Sequence, residues 1–132
     1  MIALDTNVVI RYLTQDDPKQ SAAASRLMEK TLSAQQPGYI SLIVLVEIVW
    51  VLVSCYSTSR SQVAVVLENL LTTEQLHIEA TELVWRAMRS FAASKADFSD
   101  ALIAECSRTA GCQKTVTFDR AAASLAGMEL LG

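Results

Sequence analysis

Met1-Ile2-Ala3-Leu4-Asp5-Thr6-Asn7-Val8-Val9-Ile10 opens the chain, and residues 1–5 read as a short apolar strand closed by an acid. Asp5-Thr6-Asn7 then supplies helix-capping residues, because short oxygen-bearing side chains accept from the free N–H groups of a first turn. Behind them Val8, Val9, Ile10, Tyr12 and Leu13 recur at helical spacing. A strand that passes straight into a helix is the first half of a βα unit, and the rest of the sequence repeats that alternation.

The first helix stops around Asp16-Asp17-Pro18, which reads as a solvated turn, and Pro18 suits the first turn of a second helix running to about Lys30. Gln35-Gln36-Pro37-Gly38 breaks the chain before a brief strand at 39–40. Ser41 caps a buried helix to about Cys55, and Ser57-Thr58-Ser59 caps the next, with Val63, Val66, Leu67, Leu70 and Leu71 inward. A strand at 76–78, helices at 81–93 and 97–110, a strand at 115–117 and a last stretch with a short helix and an edge strand at 128–130 complete the order. This alternation predicts an α/β fold, a three-layer α/β/α sandwich around a short, mainly parallel central sheet. The 132 residues, free of repeats and linkers, predict a single domain over 1–132.

Apolar residues make up 52% of the chain, a large share for so small an interior. Some of that surface is therefore expected to meet another chain, as a homodimer or against a tight protein partner. The net charge of −3 does not exclude a phosphate-bearing substrate. Setting aside the four acids Asp5, Glu47, Asp100 and Asp119 leaves +1 for everything else, so the acidity is local. Cys55, Cys106 and Cys112 form neither a C-x-x-C pair nor an even set, and they read as reduced thiols of a cytoplasmic protein, mostly core fillers. The start has no basic region and no small-residue cleavage site, which speaks against a signal peptide. Residues 39–56 approach the length of a membrane span, but Glu47 stands at their centre without flanking basic clusters. A charge in mid-membrane costs about 2.5–3.5 kcal/mol on insertion scales, so a buried helix of a protein without a membrane span is the reading.

Those four acids carry the chemistry. In open parallel sheets ligands gather at the carboxyl ends of strands, where Asp5 and Asp119 both fall. Each also fits a helix N-cap. Glu47 is the one charge among Val44, Leu45, Val46, Ile48, Val49, Trp50 and Val51, so it needs either a ligand or a partner such as Arg11. Asp97 and Asp100 lie three apart at a helix start, where Asp97 resembles the cap and Asp100 the acid of a capping box. Asp100, directly before the apolar face, is the better ligand, with Asp97 behind it. Carboxylates without a cysteine or histidine pattern select the hard cations Mg²⁺ or Mn²⁺ over zinc. The lone His77 reads as structural, and the chain has no P-loop, no G-x-S-x-G and no H-E-x-x-H.

Leu4-Asp5-Thr6-Asn7-Val8-Val9-Ile10-Arg11-Tyr12-Leu13, Glu47 in its apolar helix, Asp97-Phe98-Ser99-Asp100-Ala101-Leu102-Ile103-Ala104 and Thr117-Phe118-Asp119 together resemble a PIN-domain ribonuclease toxin of the VapC type. That resemblance covers essentially the whole chain. It implies a Mg²⁺- or Mn²⁺-dependent endoribonuclease, the toxin of a toxin-antitoxin pair, homodimeric and held inactive by a VapB-like antitoxin. It implies that Asp5, Glu47, Asp100 and Asp119 form the catalytic and metal-binding set, with Asp97, Thr6 and Thr117 in support. Arg11, Lys95, Lys114 and Arg120 are the candidates for contacts to the RNA phosphates. A non-catalytic interaction module and a DNA-directed nuclease are the alternatives.

Overall fold

The computed structural model describes every residue from Met1 to Gly132. In chain order the elements are β1 (Ile2–Ala3), α1 (Thr6–Thr14), α2 (Pro18–Arg26), β2 (Gly38–Ile40), α3 (Leu42–Tyr56), α4 (Arg60–Thr72), β3 (Leu76–Ile78), α5 (Thr81–Ala92), α6 (Phe98–Thr109), β4 (Thr115–Thr117) and β5 (Met128–Leu130). They fall into two compact units, Met1–Glu79 and Ala80–Gly132.

In the first unit β1, β2 and β3 pair in that order, all parallel, with Ala3 opposite Tyr39 and Tyr39 opposite His77. Each parallel step needs a crossover, and α1 with α2, then α3 with α4, supply the two. The caps are those legible in the sequence: Ser41 accepts from Val44 N, and Ser59 with Gln62 closes a reciprocal capping box. Helix α2 ends at Arg26 and runs into a π-helical turn, Leu27–Thr31, which carries the helical path past Lys30. Ile40, Leu45, Ile48, Val9, Val63 and Leu67 are almost wholly enclosed. Gly38 is required by that packing, since a Cβ there would lie 2.8 Å from Leu32 Cδ1 and 2.9 Å from Leu4 Cδ1.

In the second unit α5 packs on α6, and Phe91 meets Phe98 edge to face with ring centroids 6.0 Å apart. β4 and β5 pair in parallel, Thr115 opposite Met128 and Thr117 opposite Leu130, with a 3₁₀ turn at Ala122–Ser124 between them. The α/β expectation holds, with the parallel strands divided between a three-stranded and a two-stranded sheet. No helix is long and apolar enough to cross a membrane.

Two expectations from composition need correction. Cys55 and Cys112 are exposed and Cys106 is half-buried, so none of the three free cysteines fills the core. Helix α3 is not enclosed on all sides either: Ile43, Trp50 and Val53 stand on an open face beside Glu47, with Trp50 at 64% exposure. Apolar content suggests burial, but a helix this hydrophobic has more greasy surface than one small unit can cover.

Candidate active site

The first unit holds half of the acids. Parallel pairing ends after Ala3, and Leu4 N donates to Tyr39 O at 2.9 Å, which fixes the chain up to the residue before Asp5. Asp5 then takes an extended conformation as the N-cap of α1, its Oδ1 accepting from Thr6 N at 2.7 Å. The capping reading is therefore correct, and it occupies only one carboxylate oxygen. One residue on, Thr6 is buried and its hydroxyl donates to Glu47 Oε1 at 3.0 Å, tying α1 to α3. Asp5, Thr6, Asn7, Arg11 and Glu47 line one open cavity of about 390 Å³.

Glu47 is exposed, contrary to the enclosed setting its neighbours imply. It lies four residues beyond Ile43 and three before Trp50, on the open face of α3, so water and the cavity solvate its charge. Arg11 is not its partner: that guanidinium pairs with Asp16 at 3.2 Å.

The second unit holds the other acids. Asp97 takes the N-cap position of α6 but makes no side-chain capping bond, while Asp100, in the first turn, is half-buried. Burial raises the Asp100 carboxyl above its ordinary value, and the like charges of Asp97 and Asp119 raise it further, against a lowering hydrogen bond from the Asp97 backbone. Asp100 thus feels the charge of two other carboxylates. Asp119 follows β4, its N–H donating to Thr117 Oγ1 at 3.0 Å, and its Oδ1 accepts from Ala121 N at 2.8 Å and Ala122 N at 3.2 Å. It is not the N-cap of the 3₁₀ turn, a place Ala121 takes, but it too has one oxygen engaged by backbone N–H groups.

No three His, Cys, Asp or Glu side chains are gathered closely enough to enclose an ion on their own. The donor chemistry nonetheless suits Mg²⁺ or Mn²⁺, since the groups present are carboxylate and hydroxyl oxygens. Magnesium in particular is commonly held by one or two carboxylates, with water and substrate phosphate completing its shell.

The basic candidates differ. Lys95 and Arg120 are exposed, whereas Lys114 is ion-paired with Glu129 at 3.1 Å. Sequence reasoning missed Asp16, which binds three donors, and Glu105, a 3%-exposed carboxylate on α6 paired with Arg86 and Arg108. For Glu105 a signal exists: it stands among apolar α6 residues with Arg108 one helical turn on. For Asp16 there is none, because its partner Tyr56 is forty positions away.

No curated protein matches the sequence closely. The model of the PIN domain family matches residues 2–128. PIN domains are generally nucleases, hydrolases that use divalent metal ions. With acids at the ends of β1 and β4 and at the start of α6, and with that match over nearly its whole length, the chain belongs to the PIN domain family.

Proposed function

We propose that the protein is a Mg²⁺- or Mn²⁺-dependent endoribonuclease, acting as one PIN domain over residues 1–132, and the toxin of a toxin-antitoxin pair. The observation that carries the reading is the open cavity of about 390 Å³ lined by Asp5 and Glu47, with Glu47 held by the Thr6 hydroxyl, in a chain of the PIN domain family. A half-buried Asp100, raised by burial and then by the charge of Asp97 and Asp119, adds a second place where positive charge would be welcome.

Asp5, Glu47, Asp100 and Asp119 would hold the metal, which when bound supplies positive charge that acidifies water and steadies the leaving oxygen. The chain's own groups do the rest. Thr6 orients Glu47 through its hydroxyl, and Asp5 and Asp119 are each pinned through one oxygen by backbone N–H groups, which leaves the other oxygen for a ligand. Thr117 fixes the backbone of Asp119. Hydrolysis adds the oxygen of water to phosphorus and breaks the bond to the 3′ oxygen, giving 5′-phosphate and 3′-hydroxyl ends. Arg11, Lys95 and Arg120 are the cations offered to the RNA backbone, and Lys114 would first have to leave Glu129.

The toxin reading and its partners rest on the resemblance to VapC-type proteins and on unpartnered apolar surface. Ile43, Trp50 and Val53 on α3 suit a second copy in a homodimer. A VapB-like antitoxin suits the groove of about 360 Å³ between α1 and α2, lined by Val8, Ala23, Ala24 and Leu27. Three free cysteines fit the reducing cytoplasm.

Incubating the protein with matched single-stranded RNA and DNA in Mg²⁺, Mn²⁺ or chelator tests the reading. RNA cut only with metal, and no longer cut by Asp5→Asn or Asp100→Asn, is the expected result. Cleavage of DNA alone would favour the DNA nuclease, and normal cutting by Asp5→Asn would overturn the mechanism.

A further inference from the structure

The turn after α1 carries an organised anion. Gln15 closes the helix with φ of 54°, its N–H bonded to Arg11 O, and this left-handed residue sends Asp16 back beside the last turn. There Asp16 Oδ2 accepts from the Tyr56 hydroxyl at 2.6 Å. Its Oδ1 accepts from the Thr14 hydroxyl at 2.7 Å and from Arg11 Nη1 at 3.2 Å. The hydrogen bond from Tyr56, with that from Thr14, lowers the carboxyl to about 2, so Asp16 is an anion under any working condition. Arg11 Nε meanwhile donates to Gln20 Oε1 at 2.7 Å. The guanidinium is gripped on two sides, and its remaining N–H groups stay available.

Arg11 is the one cation among the residues lining the cavity that holds Asp5 and Glu47, and Tyr56 lines the same cavity. A flexible arginine that lines the same cavity as two carboxylates is attracted to them, since opposite charges attract. Here it pairs elsewhere: its only ion pair is with Asp16, and neither Asp5 nor Glu47 takes part in one. Were Arg11 to lie on Glu47, one contact would neutralise both the phosphate-binding cation and an acid needed for chemistry.

We infer that Asp16 is a positioning residue, anchored to α3 through Tyr56, which holds Arg11 off the catalytic acids and poised to bind a phosphate of the RNA strand entering their cavity. The inference rests on the ribonuclease reading above and adds two residues, Asp16 and Tyr56, to the apparatus that binds substrate. Asp16 acts only through Arg11; neither it nor Tyr56 enters the bond-breaking step.

Asp16→Asn, Tyr56→Phe, Arg11→Ala and the Arg11→Ala/Asp16→Asn double variant test it in two assays on the full chain. In cleavage of a fluorescent single-stranded RNA with Mg²⁺, Asp16→Asn is expected to raise KM about fivefold while kcat stays within about twofold. In anisotropy with Ca²⁺ in place of Mg²⁺, the same oligonucleotide is expected to lose a similar factor in affinity. The double variant should be no weaker than Arg11→Ala alone, because removing Asp16 has nothing left to misplace. Unchanged KM and affinity in Asp16→Asn and Tyr56→Phe, or losses that multiply in the double variant, would overturn the inference. A wild-type protein that cuts no RNA would sink the ribonuclease reading, while the anisotropy series still decides the role of Asp16. Tyr56→Phe keeps the ring and Asp16, so it stands in if Asp16→Asn fails to fold.

Discussion

Thr6 Oγ1 donates to Glu47 Oε1 at 3.0 Å across forty-one positions of sequence, joining the first turn of α1 to the middle of α3. An amide oxygen can accept the same hydrogen bond, so Glu47→Gln should keep the melting temperature of the wild type while slowing RNA cleavage on the order of a hundredfold or more. Thr6→Val removes the donor at a buried position and should cost about 1 kcal/mol in urea unfolding. A Glu47→Gln protein that cuts normally would remove Glu47 from the chemistry.

Asp100 gives a pH prediction for the metal-free protein. Its folded-state carboxyl lies above the ordinary value of 3.8, because of burial first and the charge of Asp97 second. The folded form therefore binds this proton more tightly than the unfolded chain. The stability it contributes is present below 3.8 and is lost as pH rises through the raised value. Asp100→Asn should accordingly melt higher than wild type at neutral pH in chelator, with the gap closing as pH falls toward 3.8. Adding Mg²⁺ should raise the wild-type melting temperature more than that of the variant. Thermal melts across pH check both, and a variant less stable than wild type at neutral pH in chelator would count against the like-charge cluster.

Asp16 titrates in the opposite sense. Lowered from 3.8 to about 2 chiefly by the Tyr56 hydroxyl, its stabilising effect is present above 3.8 and fades as pH falls through about 2. Carboxyl-carbon NMR of Tyr56→Phe should show the Asp16 midpoint moving up toward 3.8. A midpoint that stays put would mean that the bond to Tyr56 does not form in solution.

Glu105 is the nearly enclosed carboxylate of α6, held by Arg86 Nε at 3.1 Å and Arg108 Nη1 at 3.5 Å. Arg108 is exposed and Arg86 is half-buried, so the pair with Arg108 is a weak surface contact, and removing Arg86 leaves a buried charge short of a partner. Arg86→Ala should destabilise by about 1–3 kcal/mol in denaturant unfolding, and Glu105→Gln by less than the arginine loss. RNA cleavage at low temperature should be unaffected by either change.

The sequence shows the helices and most of their caps plainly, because Ser41, Ser59 and Asp5 act on residues no more than three positions away, whereas Asp17, which reads as part of a solvated turn, proves to cap α2. Local hydrogen bonds leave local signatures. Exposure of Glu47 is not legible there, since its apolar neighbours say how greasy α3 is but not how much of it a small unit can enclose. Asp16 reads as a bare turn for a related reason: its strongest partner, Tyr56, arrives from the far end of α3. Each acid stands out singly in the sequence, because a charge at a strand end or inside an apolar run departs from the pattern around it. How they are solvated depends on the fold.

The divided labour of Asp5 and Asp119, each giving one oxygen to backbone N–H groups and keeping the other, reaches beyond catalysis. Asparagine accepts the same backbone hydrogen bonds about as well as aspartate, so on the proposed mechanism replacing one oxygen by nitrogen would disarm the chain while leaving its scaffold intact. The inert chain keeps every surface of the active one. On that mechanism it would be a ready-made decoy, competing for whatever the active chain binds, and it lies a single nucleotide change away, since aspartate and asparagine codons differ at one base.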